Sequence, residues 1–104
     1  MAYFVEFSKD ADRTFNKLDK SLQERIAKKL KELGTNPELG KPVMRSETFN
    51  TMIWELRMFS PNIRIYYTIH KGEIIIEEIV YEGKVRIQKI GDKRSQRRDI
   101  DGLS

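Results

Sequence analysis

The chain has 104 residues, of which 35% are charged and 38% are hydrophobic, and it contains no cysteine. This length and composition indicate one charged globular domain, residues 1–104, and exclude a disordered chain. The absence of cysteine excludes disulfides and thiolate metal sites, and a single histidine argues against a zinc site or catalytic triad. No run approaches the roughly 20 apolar residues of a membrane span, and the first residues do not resemble a signal peptide. We therefore expect a cytoplasmic protein with no membrane segment, metal or cofactor.

The formal net charge of +4 is unevenly distributed along the chain. Segment 84–98 carries seven basic residues and one acidic residue, so its net charge is +6 and the remainder sums to −2. Such a concentration is typical of a surface that binds a polyanion, although a solvated tail is the alternative. The basic residues are Lys84, Arg86, Lys89, Lys93, Arg94, Arg97 and Arg98.

The N-terminal third predicts a strand followed by two helices. Residues 2–7, AYFVEF, are aromatic and β-branched, as in a strand. Ser8 is expected to cap the first helix, Asp19 or Ser21 the second, and Gly34 to end the second helix in the left-handed conformation. Apolar residues at helical spacing predict a helical hairpin; they are Ala11, Phe15, Leu18, Leu22, Ile26, Leu30 and Leu33.

The second half predicts an antiparallel meander. Residues 35–50 hold two of the three prolines and are expected to form a loop. The period then changes to two in MIWELRMF and IRIYYTIH, with turns at SPN and KG. Residues 73–90 could form one long strand, but a hairpin folded at Glu82–Gly83 is preferred because so long a strand would be unusual. The fold class is therefore α+β: an N-terminal strand and a two-helix hairpin packed on one face of a mainly antiparallel sheet.

Alternation along the strands separates two faces of the sheet. Trp54 is expected in the core beneath the helices. The apolar stripe of the second helix, formed by Leu22, Ile26, Leu30 and Leu33, is expected there too. Arg57, Arg64 and Tyr66 fall on the opposite face, which is expected to be an exposed basic and aromatic surface. His70, next to Lys71, is interpreted as a turn histidine.

The β-α-α-β-β-β order of elements, the WELR strand, the short turn and the IRIYY strand resemble the RelE/ParE toxin superfamily. The stretch GDKRSQRRDI, residues 91–100, resembles the signature of the HigB-like addiction module killer branch of type II toxin–antitoxin systems. The chain departs from that branch where YEGKVRIQKI intervenes before the glycine. The resemblance implies a RelE-like fold and a toxin that cleaves mRNA in the ribosomal A site. It also implies a metal-independent RNase using the 2′-hydroxyl as nucleophile, and a cognate antitoxin that binds it in a hetero-oligomer.

The resemblance also implies roles for particular residues. Arg57 and Arg64 are expected to bind the phosphate, and Lys93 to bind phosphate or transfer a proton. Glu55 could be a general base or form a salt bridge with Arg64, and Tyr66 could stack on a base or pack. Contacts to the mRNA or rRNA backbone are expected from the remaining basic residues, which are Lys84, Arg86, Arg94, Arg97 and Arg98.

Two other functions are compatible with the same fold. The chain could be a ParE-like toxin that poisons DNA gyrase, or a catalytically silent RNA-binding module. Residues 73–82 are expected to form an acidic strand, with the carboxylates of Glu73, Glu77, Glu78 and Glu82. This strand could lie at a sheet edge away from RNA or contact a basic antitoxin segment.

Overall fold

Two helices cover one face of a five-stranded sheet in the computed structural model, which describes residues 2–48 and 50–81. This arrangement confirms the α+β class expected from the sequence. In chain order the elements are β1 (Phe4–Phe7), α1 (Lys9–Lys17), α2 (Lys20–Thr35), β2 (Lys41–Ser46), β3 (Thr51–Met58), β4 (Ile63–His70) and β5 (Glu73–Tyr81).

The sheet has the strand order β1-β5-β4-β3-β2. Strands β2 to β5 form the antiparallel meander, and β1 joins its far side parallel to β5. The expectation of a loop over residues 35–50 is wrong in part, because Lys41–Ser46 pairs with β3. Pro42 is accommodated there because β2 is an outer strand of the described sheet, and the register shifts between Pro42 and Met44.

Both helices begin at side-chain caps. The Ser8 hydroxyl accepts a hydrogen bond from the Ala11 amide at 3.1 Å and donates to the Glu77 carbonyl oxygen at 2.8 Å. The Asp19 carboxylate accepts from the Leu22 amide at 2.8 Å, so Asp19 caps α2. The Ser8 cap therefore also fixes the start of α1 against β5.

Gly34 does not end α2, so that prediction is wrong. It is buried in the last turn, and the helix continues to Thr35 with Asn36 as its C-terminal cap. The Gly34 carbonyl oxygen accepts from the Tyr3 amide at 2.8 Å, and a β-carbon on Gly34 would lie 3.3 Å from the Tyr3 carbonyl oxygen. A glycine is used here because the chain entering β1 passes close to the helix.

Apolar residues pack on both faces of the sheet. The main core lies between the helices and the sheet and includes the predicted helical stripe, with Trp54 packed against it. A second cluster lies on the opposite face, where Ile53, Tyr66 and Val80 are buried and residues of β2 pack against them. The face away from the helices is therefore partly apolar.

Several predictions concern residues beyond those that the structure describes. They are the hairpin at Glu82–Gly83, stretch 91–100, and the basic residues Lys84, Arg86, Lys93, Arg94, Arg97 and Arg98. Within residues 2–48 and 50–81, neither helix combines the length and the apolar character needed to cross a membrane.

Candidate active site

Arg57 on β3 lies directly opposite Arg64 on β4 in the antiparallel register. Cross-strand partners point to the same side of a sheet, so the prediction that both arginines share the face away from the helices is confirmed. Arg57 is exposed and Arg64 is half-buried. Like charges directly opposite one another destabilise a sheet, and a bound anion would offset this repulsion.

The next row on the same face contains groups that can exchange protons. Glu55 lies opposite Tyr66, and Tyr66 lies opposite Glu78 on β5. At the other end of the row, Lys41 on β2 is the partner of Glu55. Successive rows on one face are about 7 Å apart along a strand, so this row adjoins the arginine pair.

Tyr66 connects the two rows but is not part of an exposed aromatic surface. Only 2% of the residue is exposed, because it packs with Ile53 and Val80. The expectation of an exposed aromatic is therefore wrong for Tyr66, and the packing alternative is confirmed over base stacking. Burial raises the pKa of Tyr66 above its usual 10, as does the hydrogen-bonded Glu55 carboxylate, while a hydrogen bond to Arg64 opposes them. At neutral pH the phenol is thus protonated, so its O–H can donate to the Glu55 carboxylate while its oxygen accepts from the Arg64 guanidinium.

A further hydrogen-bonded group extends along β4. The buried Thr68 hydroxyl donates to the Glu77 carboxylate at 2.8 Å and lies 2.8 Å from the His70 Nε2 atom. The hydroxyl has one proton, which it gives to Glu77, so His70 must donate to Thr68 through Nε2–H. His70 ends β4 next to the turn, as expected.

The acidic strand is not at a sheet edge, so that interpretation is wrong. β5 lies between β1 and β4, and both Glu77 and Glu78 are buried. A register shift after Tyr66 changes the pairing from Tyr66–Glu78 to Tyr67–Ile76. This bulge places Glu78 beside Tyr66 and still lets Glu77 accept from Thr68.

The structure thus brings together four of the five residues predicted to act in catalysis, namely Glu55, Arg57, Arg64 and Tyr66. The fifth, Lys93, lies outside the described residues. Sequence reasoning missed Lys41, because its strand was taken for a loop, and Glu78, because its position depends on the bulge. KPVMRS shows no alternation of apolar and polar residues, so no signal in the sequence indicated the strand that holds Lys41.

Residues 5–92 match the model of the ParE toxin family of type II toxin–antitoxin systems. This match covers most of the chain. The protein belongs to that family. The toxin is also 29% identical over 97 residues to a RelE-like toxin protein of Escherichia coli, covering 93% of this chain and 98% of the relative.

Solved structures of RelE proteins share the fold of this toxin. A free variant of the Escherichia coli toxin RelE superposes with a TM-score of 0.67 at 22% identity, covering 93% of this chain and 98% of RelE. The toxin–antitoxin complex RelBE of Escherichia coli gives 0.62 at 22% identity, covering 82% and 99%. A RelBE complex of Mycobacterium tuberculosis gives 0.66 at 20% identity, covering 81% and 95%. The resemblance to the RelE/ParE superfamily is therefore confirmed, while the HigB-like branch stays a prediction.

Proposed function

We propose that this toxin is a metal-independent endoribonuclease that cleaves mRNA on the cytoplasmic ribosome. The observation that supports this most strongly is the pair of directly opposed arginines, Arg57 and Arg64, with Glu55 in the adjoining row. Two guanidinium groups on one face can hold one phosphate in the forked geometry that arginine favours. The carboxylate beside them supplies a base within the same surface.

The proposed reaction is attack of an RNA 2′-hydroxyl on the adjacent phosphorus. Glu55 takes the proton from the hydroxyl as the 2′-oxygen–phosphorus bond forms. The bond from phosphorus to the 5′-oxygen breaks, leaving a 2′,3′-cyclic phosphate, and the 5′-oxygen takes a proton. Arg57 and Arg64 offset the charge that builds on the non-bridging oxygens. Lys93 remains the predicted donor to the leaving oxygen or a further phosphate contact.

Tyr66 and Lys41 have supporting roles in this proposal. The Tyr66 phenol is fixed by packing, and its hydrogen bond to Glu55 orients the carboxylate. Lys41 places another positive charge beside Glu55, on the side away from Tyr66. Together they define where the base and the phosphate meet.

The remaining contacts to RNA are assigned to the basic C-terminal segment. Its predicted participants bind phosphates without sequence preference and secure the toxin to mRNA or rRNA. These residues are Lys84, Arg86, Arg94, Arg97 and Arg98.

A cognate antitoxin is the proposed protein partner. Two of the solved structures with this fold are complexes of a toxin with its antitoxin. We propose that this toxin forms a comparable hetero-oligomer. Co-expression with a small protein encoded beside it, followed by purification of a stable complex and rescue of growth, tests the partnership.

Mapping of transcript 5′ ends after induction in bacteria tests the nuclease proposal. The wild type should arrest growth and produce new mRNA ends, and Arg64→Ala should remove both effects. Arg13→Ala is the matched control, because Arg13 is an exposed arginine on α1, away from the sheet. Intact mRNA with broken DNA would favour gyrase poisoning instead. Binding to ribosomes without any cut transcript would indicate a silent RNA-binding module.

A further inference from the structure

A second basic surface adjoins the candidate active site at one corner of the sheet. It is a cleft of about 510 Å³ between α2 and the end of β3. The pairing of β2 with β3 ends at Lys41 opposite Glu55, so beyond that point β3 is the outer strand of the described sheet. The cleft opens along this edge. Its lining is Arg25, Lys28, Lys29, Glu32, Arg57, Met58 and Phe59.

The two walls of the cleft are tied together. The Arg25 guanidinium on α2 donates to the Phe59 carbonyl oxygen at 2.9 Å and to the Ser60 carbonyl oxygen at 2.8 Å. These bonds use neutral acceptors, so the positive charge of Arg25 is not cancelled. The turn after β3 is thereby held against the helix, and the cleft is formed before any ligand binds.

The lining of the cleft is strongly positive. Arg25, Lys28 and Lys29 are three and four residues apart, so they share one face of α2. Among the described residues that line the cleft, Glu32 alone is acidic, and its carboxylate lies 3.7 Å from the Lys29 ammonium in a partly exposed pair. Such a pair is weak, so most of the positive potential remains available to a polyanion.

An exposed aromatic ring stands beside these charges. Phe59 is 60% exposed, and the Arg57 guanidinium lies 5.3 Å from its ring centroid. An exposed large aromatic side chain lowers solubility. Proteins that bind single-stranded nucleic acids place aromatic rings among basic side chains, and the bases stack on these rings. Arg57 is common to this cleft and to the arginine pair, so a strand held at the arginine pair continues into the cleft.

We propose that this cleft binds the mRNA strand adjoining the scissile phosphate, with Phe59 stacking on a base and Lys28 and Lys29 binding phosphates. This inference rests on the proposed nuclease function and extends it from one phosphate to the path of the strand. Double-stranded RNA does not fit, because its bases are not free to stack on Phe59.

The proposal is tested by the affinity of the full chain for fluorescent single-stranded RNA that carries 2′-deoxy sugars and is not cut. An eight-nucleotide strand can occupy both the arginine pair and the cleft, whereas a three-nucleotide strand spans the arginine pair alone. Phe59→Ala should weaken binding of the longer strand about tenfold, as expected for one stacked base, and leave the shorter strand unchanged. Phe4→Ala is the matched control, since Phe4 is an exposed aromatic on the opposite edge of the sheet.

The lysines have a separate signature in the salt dependence. Replacing Lys28 and Lys29 by Gln should lower the slope of log affinity against log salt by about 0.7 for each phosphate that these side chains no longer neutralise. Lys31→Gln, an exposed lysine of α2 outside this cleft, should leave the slope unchanged.

Three results would overturn the proposal. If the cleft variants bind the longer strand with wild-type affinity, the cleft is not part of the RNA path. The proposed role of the arginine pair would be unaffected by that result. Reduced affinity for empty ribosomes, with unchanged affinity for the strand, would assign the cleft to rRNA. Failure of the wild type to bind either strand would contradict both the cleft and the proposed nuclease site.

Discussion

Arg57 and Arg64 are direct cross-strand partners on the sheet face away from the helices. The helices cover the other face, so both guanidinium groups are available on the same side as Glu55 and Tyr66. Opposed cations are unfavourable in a bare sheet, and under the proposed function their placement would form a binding site for one phosphate.

Inorganic phosphate should therefore stabilise the toxin through this pair. For a dissociation constant near 1 mM, 10 mM phosphate would add about 1.4 kcal/mol to the free energy of unfolding, a rise of several degrees in Tm. Arg57→Gln and Arg64→Gln should each remove this rise. Arg13→Gln should keep it. Equal rises in all four proteins, compared at constant ionic strength, would show that phosphate acts elsewhere.

Substitutions in the second row should separate the proton acceptor from the group that orients it. Glu55→Gln keeps the shape of the side chain and removes the base, so single-turnover cleavage should slow by roughly 10²–10⁴-fold. Tyr66→Phe keeps the buried ring and removes one hydrogen bond, which should slow cleavage by about tenfold. Glu47→Gln, at an exposed turn, is the control. A larger loss for Tyr66→Phe than for Glu55→Gln would reverse the assigned roles.

Gly40→Ala should shift the backbone at Glu55, although Gly40 is not itself a residue of the candidate active site. A β-carbon there would lie 2.4 Å from the Glu55 carbonyl oxygen and 2.8 Å from the Tyr67 hydroxyl. Since the Glu55 contact is with backbone, either β2 or β3 must move, at a cost of about 1–3 kcal/mol. Urea unfolding and cleavage should both be impaired. Gly72→Ala provides a contrast, because its β-carbon would meet nothing within 4 Å and its cost comes from a φ of +74°. It should lose stability without losing activity in the folded protein.

Tyr67 should make stability depend on alkaline pH. Its buried hydroxyl donates to the Pro37 carbonyl oxygen at 2.8 Å and accepts from the Gly40 amide at 3.0 Å. Burial, with a smaller effect of Glu38, raises the pKa of Tyr67 above 10 in the folded chain, although the Gly40 amide opposes the shift. The protonated folded form is therefore favoured below about pH 10, the pKa of an unperturbed tyrosine. This stabilisation is lost as the pH rises through the folded pKa.

Tyr67→Phe should be less stable than the wild type at pH 8 by about 1 kcal/mol, because two hydrogen bonds are removed. The difference should shrink as the pH rises above about 10. Urea midpoints between pH 8 and 11 measure it. A constant difference over that range would contradict the linkage.

The sequence predicted the site best where alternation is regular. Polar and apolar residues alternate from Trp54 to Met58 in β3 and from Ile63 to Ile65 in β4, so the shared face of Arg57 and Arg64 could be inferred from the period. The same reasoning failed for Tyr66, because the apolar cluster that buries it includes residues packed from β2. That strand contains Pro42 and follows Gly40, which are signals of a loop. Its pairing with β3 is decided by tertiary contacts.

The placement of the acidic residues could not be predicted for a different reason. A one-residue bulge between β4 and β5 alters which residues of β5 face each side. The pattern EIIIEEIVY has no mark that fixes the position of that bulge. The sequence therefore suggested a strand at a sheet edge or against an antitoxin, whereas Glu77 and Glu78 are buried beside β4.

A double-mutant cycle determines whether Arg57 and Arg64 hold the same phosphate. Single-turnover cleavage of mRNA on programmed ribosomes would be measured for the wild type, Arg57→Ala, Arg64→Ala and the double variant. If both guanidinium groups act on one phosphate, each single variant should be severely impaired and the double variant little worse than the weaker single one. Losses that simply multiply in the double variant, or a single variant that cuts at the wild-type rate, would show that the two guanidinium groups do not act on one phosphate.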